Sequence, residues 1–283
     1  MFPMRLLVTG AAGMLGRDVV AAAGDAGHEV VALARAELDI TDAAAVDAAI
    51  RDNRPDAVVN CAAWTDVDGA EAHEEAATAV NGAGAGNVAQ AAAATGARLV
   101  HVSSDYVFDG EATAPYAETA PTGPRSAYGR SKLAGEHAVA GAGGRVAVVR
   151  ASWLFGPHGR NFVDTVRRLG AERDELAIVD DQVGCPTYTG HLAPALITIA
   201  EHGLTGMLHV AGGGRCSWFE LARATFEETG LDCRVRRQST AATGRPAPRP
   251  AFSALASARE DAPVLPHWRE GLRAHLARVE VAA

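Results

Sequence analysis

Tyr128 and Lys132 stand four residues apart in Tyr128-Gly129-Arg130-Ser131-Lys132, at the start of a predicted helix. That spacing puts both side chains on one helical face, within reach of each other. A neighbouring ammonium favours phenolate and lowers a tyrosine pKa from its ordinary value of about 10. A tyrosine tuned in this way gives a proton to a carbonyl oxygen as hydride arrives at the carbon. Ser103 and Ser104 follow the fourth predicted strand, and a hydroxyl at Ser104 is suited to hold the carbonyl and orient the transfer. Each piece alone is weak. Many helices contain Y-x-x-x-K by chance, and a strand-end serine is commonly a turn or cap. The ordered set is specific when it follows a nucleotide-binding turn.

Such a turn lies near the start of the chain. Gly10, Gly13 and Gly16 come directly after the first strand, in Thr9-Gly10-Ala11-Ala12-Gly13-Met14-Leu15-Gly16. The first glycine permits the tight turn, the second lets backbone approach a pyrophosphate, and the third lets the helix pack on the sheet. The free N–H groups at that helix end then face phosphates, with Met14 and Leu15 beside them. The G-x-x-G-x-x-G spacing resembles that of short-chain dehydrogenases. The second strand ends in Ala32-Leu33-Ala34-Arg35, with no acid before Glu37. An acid there would suit the ribose of NAD, whereas Arg35 suits the 2′-phosphate of NADP. NADPH is therefore the expected cofactor, with NADH admitted beside it.

These residues need a scaffold, and the chain supplies one. Leu6–Thr9, Val30–Leu33, Ala57–Asn60, Leu99–Ser103 and Val146–Arg150 read as buried strands. Helical stretches begin near Gly13, Asp42, Glu71 and Ser126 between them. Repeated β-α-β units require crossovers and so a parallel, doubly wound Rossmann-type α/β sheet. After Arg150 the rhythm changes: helices are expected over Phe162–Leu169, Leu192–Ala200, Phe219–Thr229 and His267–Val281, with strands at Leu176–Val179 and Leu208–Val210. Residues 1–158 are expected to form the nucleotide-binding domain. Residues 159–283 are expected mainly to form a smaller substrate-binding lobe, some of whose segments return to the first domain.

Bulk properties exclude several classes. Lys and Arg number 26 against 34 Asp and Glu, a net charge of -8, which argues against a general nucleic-acid binder. Cys61, Cys185, Cys216 and Cys233 form no C-x-x-C pair, so neither a zinc site nor a disulfide scaffold is indicated. No signal peptide or membrane span is expected, and the location is expected to be cytoplasmic.

Longer stretches carry a sharper resemblance. Ser103-Ser104-Asp105-Tyr106-Val107-Phe108-Asp109-Gly110 resembles the S-T-D-Y-V-F-x-G segment of dTDP-4-dehydrorhamnose reductases. So do Val59 to Asp68, Tyr128 to Glu136, Arg150 to Phe155, Asp181-Gln182-Val183-Gly184-Cys185-Pro186-Thr187 and Leu265-Pro266-His267-Trp268. Nearly the whole chain is covered. The resemblance implies Ser104, Tyr128 and Lys132 as the catalytic trio, with serine at 104 where many members have threonine. Lys132 would also hydrogen-bond the nicotinamide ribose. The resemblance places Asp39 and Ile40 near the adenine, and Cys61, Ala62 and Ala63 along the cofactor. Thr65, Val67, Asp105, Tyr106 and Trp153 would touch the sugar or its nucleotide, Trp153 offering a flat face to the sugar ring, and Asn161 would contact the nucleotide. The implied reaction reduces the 4-keto group of dTDP-6-deoxy-L-lyxo-4-hexulose to dTDP-L-rhamnose. Some members are magnesium-bridged dimers, so a homodimer is among the expected partners; no acidic cluster for the bridge stands out, and no metal is assigned. Three other readings share the fold: a 4-ketoreductase for another dTDP-deoxysugar, a non-catalytic subunit like that of methionine adenosyltransferase, and an epimerase or dehydratase. The complete Ser104, Tyr128, Lys132 set disfavours the second. The third would more naturally carry an Asp-Glu pair beside the catalytic hydroxyl.

Overall fold

The computed structural model describes residues 2–281. Four β-α steps and a closing fifth strand build the first part: β1 (Arg5–Thr9), α1 (Met14–Asp25), β2 (Glu29–Leu33), α2 (Ala43–Asn53), β3 (Ala57–Asn60), α3 (Val67–Ala72), α4 (Glu74–Thr78), α5 (Ala85–Thr95), β4 (Arg98–Ser104), α6 (Ala127–Gly141) and β5 (Arg145–Ala151). The remainder comprises β6 (Leu154–Phe155), α7 (Phe162–Glu172), β7 (Glu175–Val179), β8 (Val183–Gly184), β9 (Thr187–Tyr188), α8 (Thr189–His202), β10 (Gly206–His209), β11 (Cys216–Ser217), α9 (Trp218–Thr229), β12 (Arg234–Gln238) and α10 (Trp268–Val281).

The main sheet runs β10-β5-β4-β3-β1-β2 and every pairing is parallel. Side chains alternate across it, as the two-residue period of a strand requires. Leu6, Val8, Val59 and Val149 face α1 and α8 in one fully buried layer, while Leu7, Val58, Leu99 and Val148 face α2, α5 and α6 in the other. Each such side chain contributes roughly 1.5–3 kcal/mol of burial, and the expected doubly wound architecture is present. Its strand order reverses between β1 and β3, so their carboxyl ends open the crevice where such sheets take ligands.

The chain leaves this sheet after β5 and comes back. α8 lies against α1, and β10 pairs with β5 at Gly206↔Ala147 through His209↔Arg150. The lobe is formed by α7, α9 and α10 around Phe155, Val163, Leu221 and Leu272. Its β12 was not legible in the sequence, because Arg-Val-Arg-Arg-Gln offers a single apolar residue. It forms only by pairing in parallel with β7, where Arg234 and Arg236 meet Glu175.

The helix expected near Glu71 is a composite. It begins at Val67, breaks at His73, and carries a π-helical stretch over Ala79–Gly84 before α5. That wider turn holds Asn81, whose amide accepts from Trp64 N at 2.8 Å and donates to Trp64 O at 3.1 Å and Ser131 Oγ at 2.9 Å. Single π turns often mark functional positions. This one pins the loop after β3 to the helix that carries Tyr128.

Candidate active site

The carboxyl ends of β1, β3, β4 and β5 open into one cleft of about 770 Å³. Gly10, Gly13, Met14, Leu15, Gly16, Arg35, Asp39, Ile40, Cys61, Ala62 and Ala63 line one part. Thr65, Val67, Ser104, Asp105, Tyr106, Tyr128, Lys132 and Trp153 line the rest. Every residue singled out in the sequence is therefore brought together here except Asn161.

The floor of the nucleotide half is a cradle that side chains would fill. Gly10 has φ +66°, and a Cβ there would lie 2.6 Å from Ala62 N. A Cβ on Gly16 would lie 2.2 Å from Gly10 O, and one on Gly13 3.1 Å from it. α1 starts with no side-chain cap and no acid in its first turn, so its leading N–H groups and the positive helix end are free for an anion. This arrangement fits the pyrophosphate of a dinucleotide. Beneath it, Thr9 Oγ1 donates to Asn60 Oδ1 at 2.7 Å, Asn60 Oδ1 accepts from Ala62 N at 3.2 Å, and Asn60 Nδ2 donates to His101 Nδ1 at 3.1 Å. Burial holds His101 neutral and pushes the Cys61 thiol up to about 12, so Cys61 serves as a small wall residue and not a nucleophile. Arg35, 81% exposed, sits 3.7 Å from the Asp39 carboxylate at the outer rim.

The reactive half gathers on β4 and α6. Ser126 caps α6 by accepting from Gly129 N at 3.0 Å, which starts the helix one residue before Tyr128. Lys132 is buried and donates from Nζ to Val102 O at 2.8 Å. Desolvation lowers its pKa to about 8, against the opposing pull of Glu136. Tyr128 is pushed up to about 12 by burial, partly offset by a hydrogen bond with Ser104. The direction is opposite to the lowering expected from Lys132, because burial is the largest cause, and the phenol is held protonated at neutral pH, the form an acid needs. Tyr106 packs edge-on to Tyr128 with ring centres 5.4 Å apart.

Asp105 lies under this group, 1% exposed. Its Oδ1 accepts from Ser104 at 3.1 Å, and its Oδ2 accepts from Ser152 at 2.9 Å and Ser253 at 2.5 Å. Burial still raises its carboxyl to about 6. The carboxylate thus anchors the Ser104 hydroxyl from below.

Two of the expected contact residues are held by the fold itself. Asn161 is the N-cap of α7: its Nδ2 donates to Gly156 O at 2.9 Å and Asp164 Oδ2 at 2.6 Å, while its Oδ1 accepts from Asp164 N at 2.9 Å. Its amide is occupied within the fold and does not line the cleft, whereas the preceding His158, Gly159 and Arg160 do. Trp153 lines the cleft and is itself packed against two neighbours. Trp218 stacks on it at 3.5 Å with planes 3° apart, and a Cβ on Gly184 would lie 2.4 Å from its Cε2. Trp218 itself was missed in the sequence. Its signal there was a Ser-Trp-x-Glu cap opening a helix, which reads equally as ordinary capping.

A dinucleotide cradle joined in one cleft to a half-buried tyrosine beside a buried lysine and serine defines a Rossmann-type reductase. The profile described as the RmlD substrate binding domain matches residues 4–281. The chain is 48% identical to dTDP-4-dehydrorhamnose reductase of Mycobacterium tuberculosis over 283 residues, spanning 96% of this chain and 92% of that one. It is also 48% identical over 229 residues to the dTDP-4-keto-6-deoxy-D-glucose reductase of Streptomyces niveus, covering 81% and 80% of the two chains. The crystal structure of dTDP-4-dehydrorhamnose reductase from Bacillus anthracis in complex with NADP superposes with a TM-score of 0.95 at 36% identity, covering 98% of this chain and 100% of that one. The chain belongs to the dTDP-4-dehydrorhamnose reductase family of nucleotide-sugar ketoreductases.

Proposed function

We propose that this protein uses NADPH to reduce the 4-keto group of dTDP-6-deoxy-L-lyxo-4-hexulose, giving dTDP-L-rhamnose. The observation that carries the reading is the meeting of Ser104, Tyr128 and Lys132 where the glycine cradle joins the aromatic-lined end of one cleft. The relatives named for this reaction, and the Bacillus anthracis enzyme solved with NADP, support it.

Gly10, Gly13 and Gly16 would hold a reduced nicotinamide dinucleotide, which would supply the hydride. The remaining steps belong to this chain. Ser104 turns its one hydroxyl proton from Asp105 to the carbonyl oxygen and so orients that oxygen beside Tyr128. Tyr128, protonated at neutral pH, donates its phenolic proton to that oxygen. Lys132 holds the cofactor ribose and stabilises the phenolate left behind. Arg35, with no acid at the end of β2, favours a 2′-phosphate. Trp64, Val67 and Tyr106 exclude water from the sugar end.

The Streptomyces niveus relative supports a second reading, in which another dTDP-linked 4-keto-6-deoxysugar is the substrate. Loss of NADPH absorbance with purified protein and dTDP-6-deoxy-L-lyxo-4-hexulose, with NADH in parallel, separates the two. Rapid oxidation yielding dTDP-L-rhamnose is expected. NADPH binding without oxidation would move the assignment to a different 4-keto sugar.

A further inference from the structure

Trp153 has a left-handed backbone at φ +48°, one of two non-glycine residues with positive φ among the described residues. For a bulky side chain this conformation is held only where surroundings over-determine it. The surroundings are Gly184, close against the Nε1 side of the indole, and Trp218, stacked on its face, and Trp153 O accepts from Thr187 N at 3.1 Å. The motif from Asp181 to Thr187 thus clamps this indole. The same motif aims the second indole. Gln182 is 5% exposed; its Oε1 accepts from Trp218 Nε1 at 3.0 Å, and its Nε2 donates to Thr240 Oγ1 at 2.8 Å. Thr240 is in turn fixed by Asp181, to which it donates from N at 2.8 Å and from Oγ1 at 2.6 Å. The side chain of Gln182 is held at both ends and has no freedom to release the indole.

Trp218 is half-buried and lines the cleft together with Trp153 and Leu154. Its one polar atom is turned away to Gln182, so what it shows the cleft is carbon. Phe162 supports it at 4.6 Å, and the Ser217–Glu220 capping box fixes the start of α9 on which it stands. A large aromatic surface immobilised before any ligand arrives loses little freedom on binding. The carbon–hydrogen face and methyl group of a 6-deoxy sugar match such a surface.

Resting on the proposed reading, we propose that Trp218 contacts the deoxysugar of the substrate and that Gln182 is a positioning residue acting through it. The stacked pair is a single rigid apolar wall behind the sugar, in which Trp153 is the clamped inner layer.

The test uses Trp218→Ala, Trp218→Phe, Gln182→Ala and the Trp218→Phe/Gln182→Ala double variant. The readouts are KM and kcat for dTDP-6-deoxy-L-lyxo-4-hexulose, NADPH affinity, and the circular-dichroism couplet of the stacked Trp153 and Trp218 indoles, measured first on the wild type. Trp218→Ala is expected to raise KM about tenfold with a smaller fall in kcat, to abolish the couplet, and to leave NADPH affinity unchanged. Trp218→Phe, which keeps the ring plane, is expected to restore most of the KM. Gln182→Ala is expected to weaken the couplet and raise KM in the wild-type background, but to add nothing once Trp218 is phenylalanine, because no N–H remains to aim. KM within twofold of wild type in Trp218→Ala with the couplet lost overturns the inference alone. So does a loss of NADPH affinity as large as the KM change, which would assign the indole to the cofactor. If Trp218→Ala fails to fold, Trp218→Phe decides through the double variant: a further KM rise on adding Gln182→Ala overturns the positioning role. Wild-type protein that binds NADPH but leaves this sugar unreduced overturns the functional reading, and this inference with it.

Discussion

At the scale of single residues, the cleft separates three titrations by environment. Tyr128 is raised by burial to about 12, Lys132 is lowered by burial to about 8, and Asp105 is raised by burial to about 6. The acid role predicts that Tyr128→Phe loses about 10²–10⁴-fold in turnover while NADPH affinity, followed by fluorescence titration, stays within twofold. Near wild-type turnover in that variant would sink the assignment. For Lys132 the charged form exists below its pKa, so it is present below about pH 8 and lost above it. Binary NADPH affinity is accordingly expected to fall as pH rises through 8, and Lys132→Arg should move that limb to higher pH. For Asp105 the folded pKa lies above the ordinary value near 3.8. The folded protein then binds more protons than the unfolded chain between about pH 4 and 6, and this group's contribution to stability increases as pH falls through that window. Thermal unfolding of wild type and Asp105→Asn across pH 4 to 7 checks the sign: the Asn variant should gain relative stability at the upper end.

At the scale of elements, the two halves of the site depend on where a turn or helix begins. Gly10 has a positive φ and no space for a Cβ beside Ala62, so Gly10→Ala should separate the ends of β1 and β3. A loss of about 1–3 kcal/mol in stability is expected, together with loss of NADPH binding; retained binding in calorimetry would remove the cradle from the cofactor site. The start of α9 depends on Ser217, which accepts from Glu220 N at 3.2 Å and donates to Asp180 at 2.6 Å. Ser217→Ala should cost about 1–2 kcal/mol, read from the urea midpoint, and should loosen the Trp153–Trp218 stack.

At the scale of the whole molecule, one buried ionic network spans the sheet and its helices. Arg150 on β5 forms a forked pair with Glu136 on α6 at 2.8 and 2.7 Å, and Ser103 on β4 donates to the same carboxylate at 2.6 Å. Arg150 also lies over the Phe108 ring, 4.9 Å from its centre. Neither charge reaches water, with side-chain exposures of 5% and 3%. Glu136→Gln keeps the shape but leaves Arg150 uncompensated, and should cost about 3–5 kcal/mol by guanidinium unfolding. The lobe is tied on separately through Asp18 of α1. Its carboxylate accepts from Thr189 of α8 at 2.5 Å and Arg278 of α10 at 2.7 Å.

What the amino-acid sequence determined is what local spacing encodes. The glycine turn, the alternating and helical periodicities, the serines at the end of β4 and the four-residue interval from Tyr128 to Lys132 are properties of neighbours along the chain, and they placed the phosphate turn, Arg35 and the Ser104, Tyr128 and Lys132 set, while the other expected contact residues came by resemblance. The family stretches from Trp64, Ser103 and Asp181 supplied the substrate class by resemblance. Tertiary structure decided matters that depend on distant partners. β12 exists because β7 lies beside it, 59 residues earlier by the Arg234↔Glu175 register. Asn161 is occupied because Gly156 and Asp164 converge on its amide. The Tyr128 pKa moves up because burial, summed over the whole cleft, exceeds any single neighbouring charge. Trp153 is held because Gly184 and Trp218, distant from it in the sequence, both pack against its indole. Contacts of this kind fix which surface of a side chain is left for a ligand, and spacing along the chain carries no record of them.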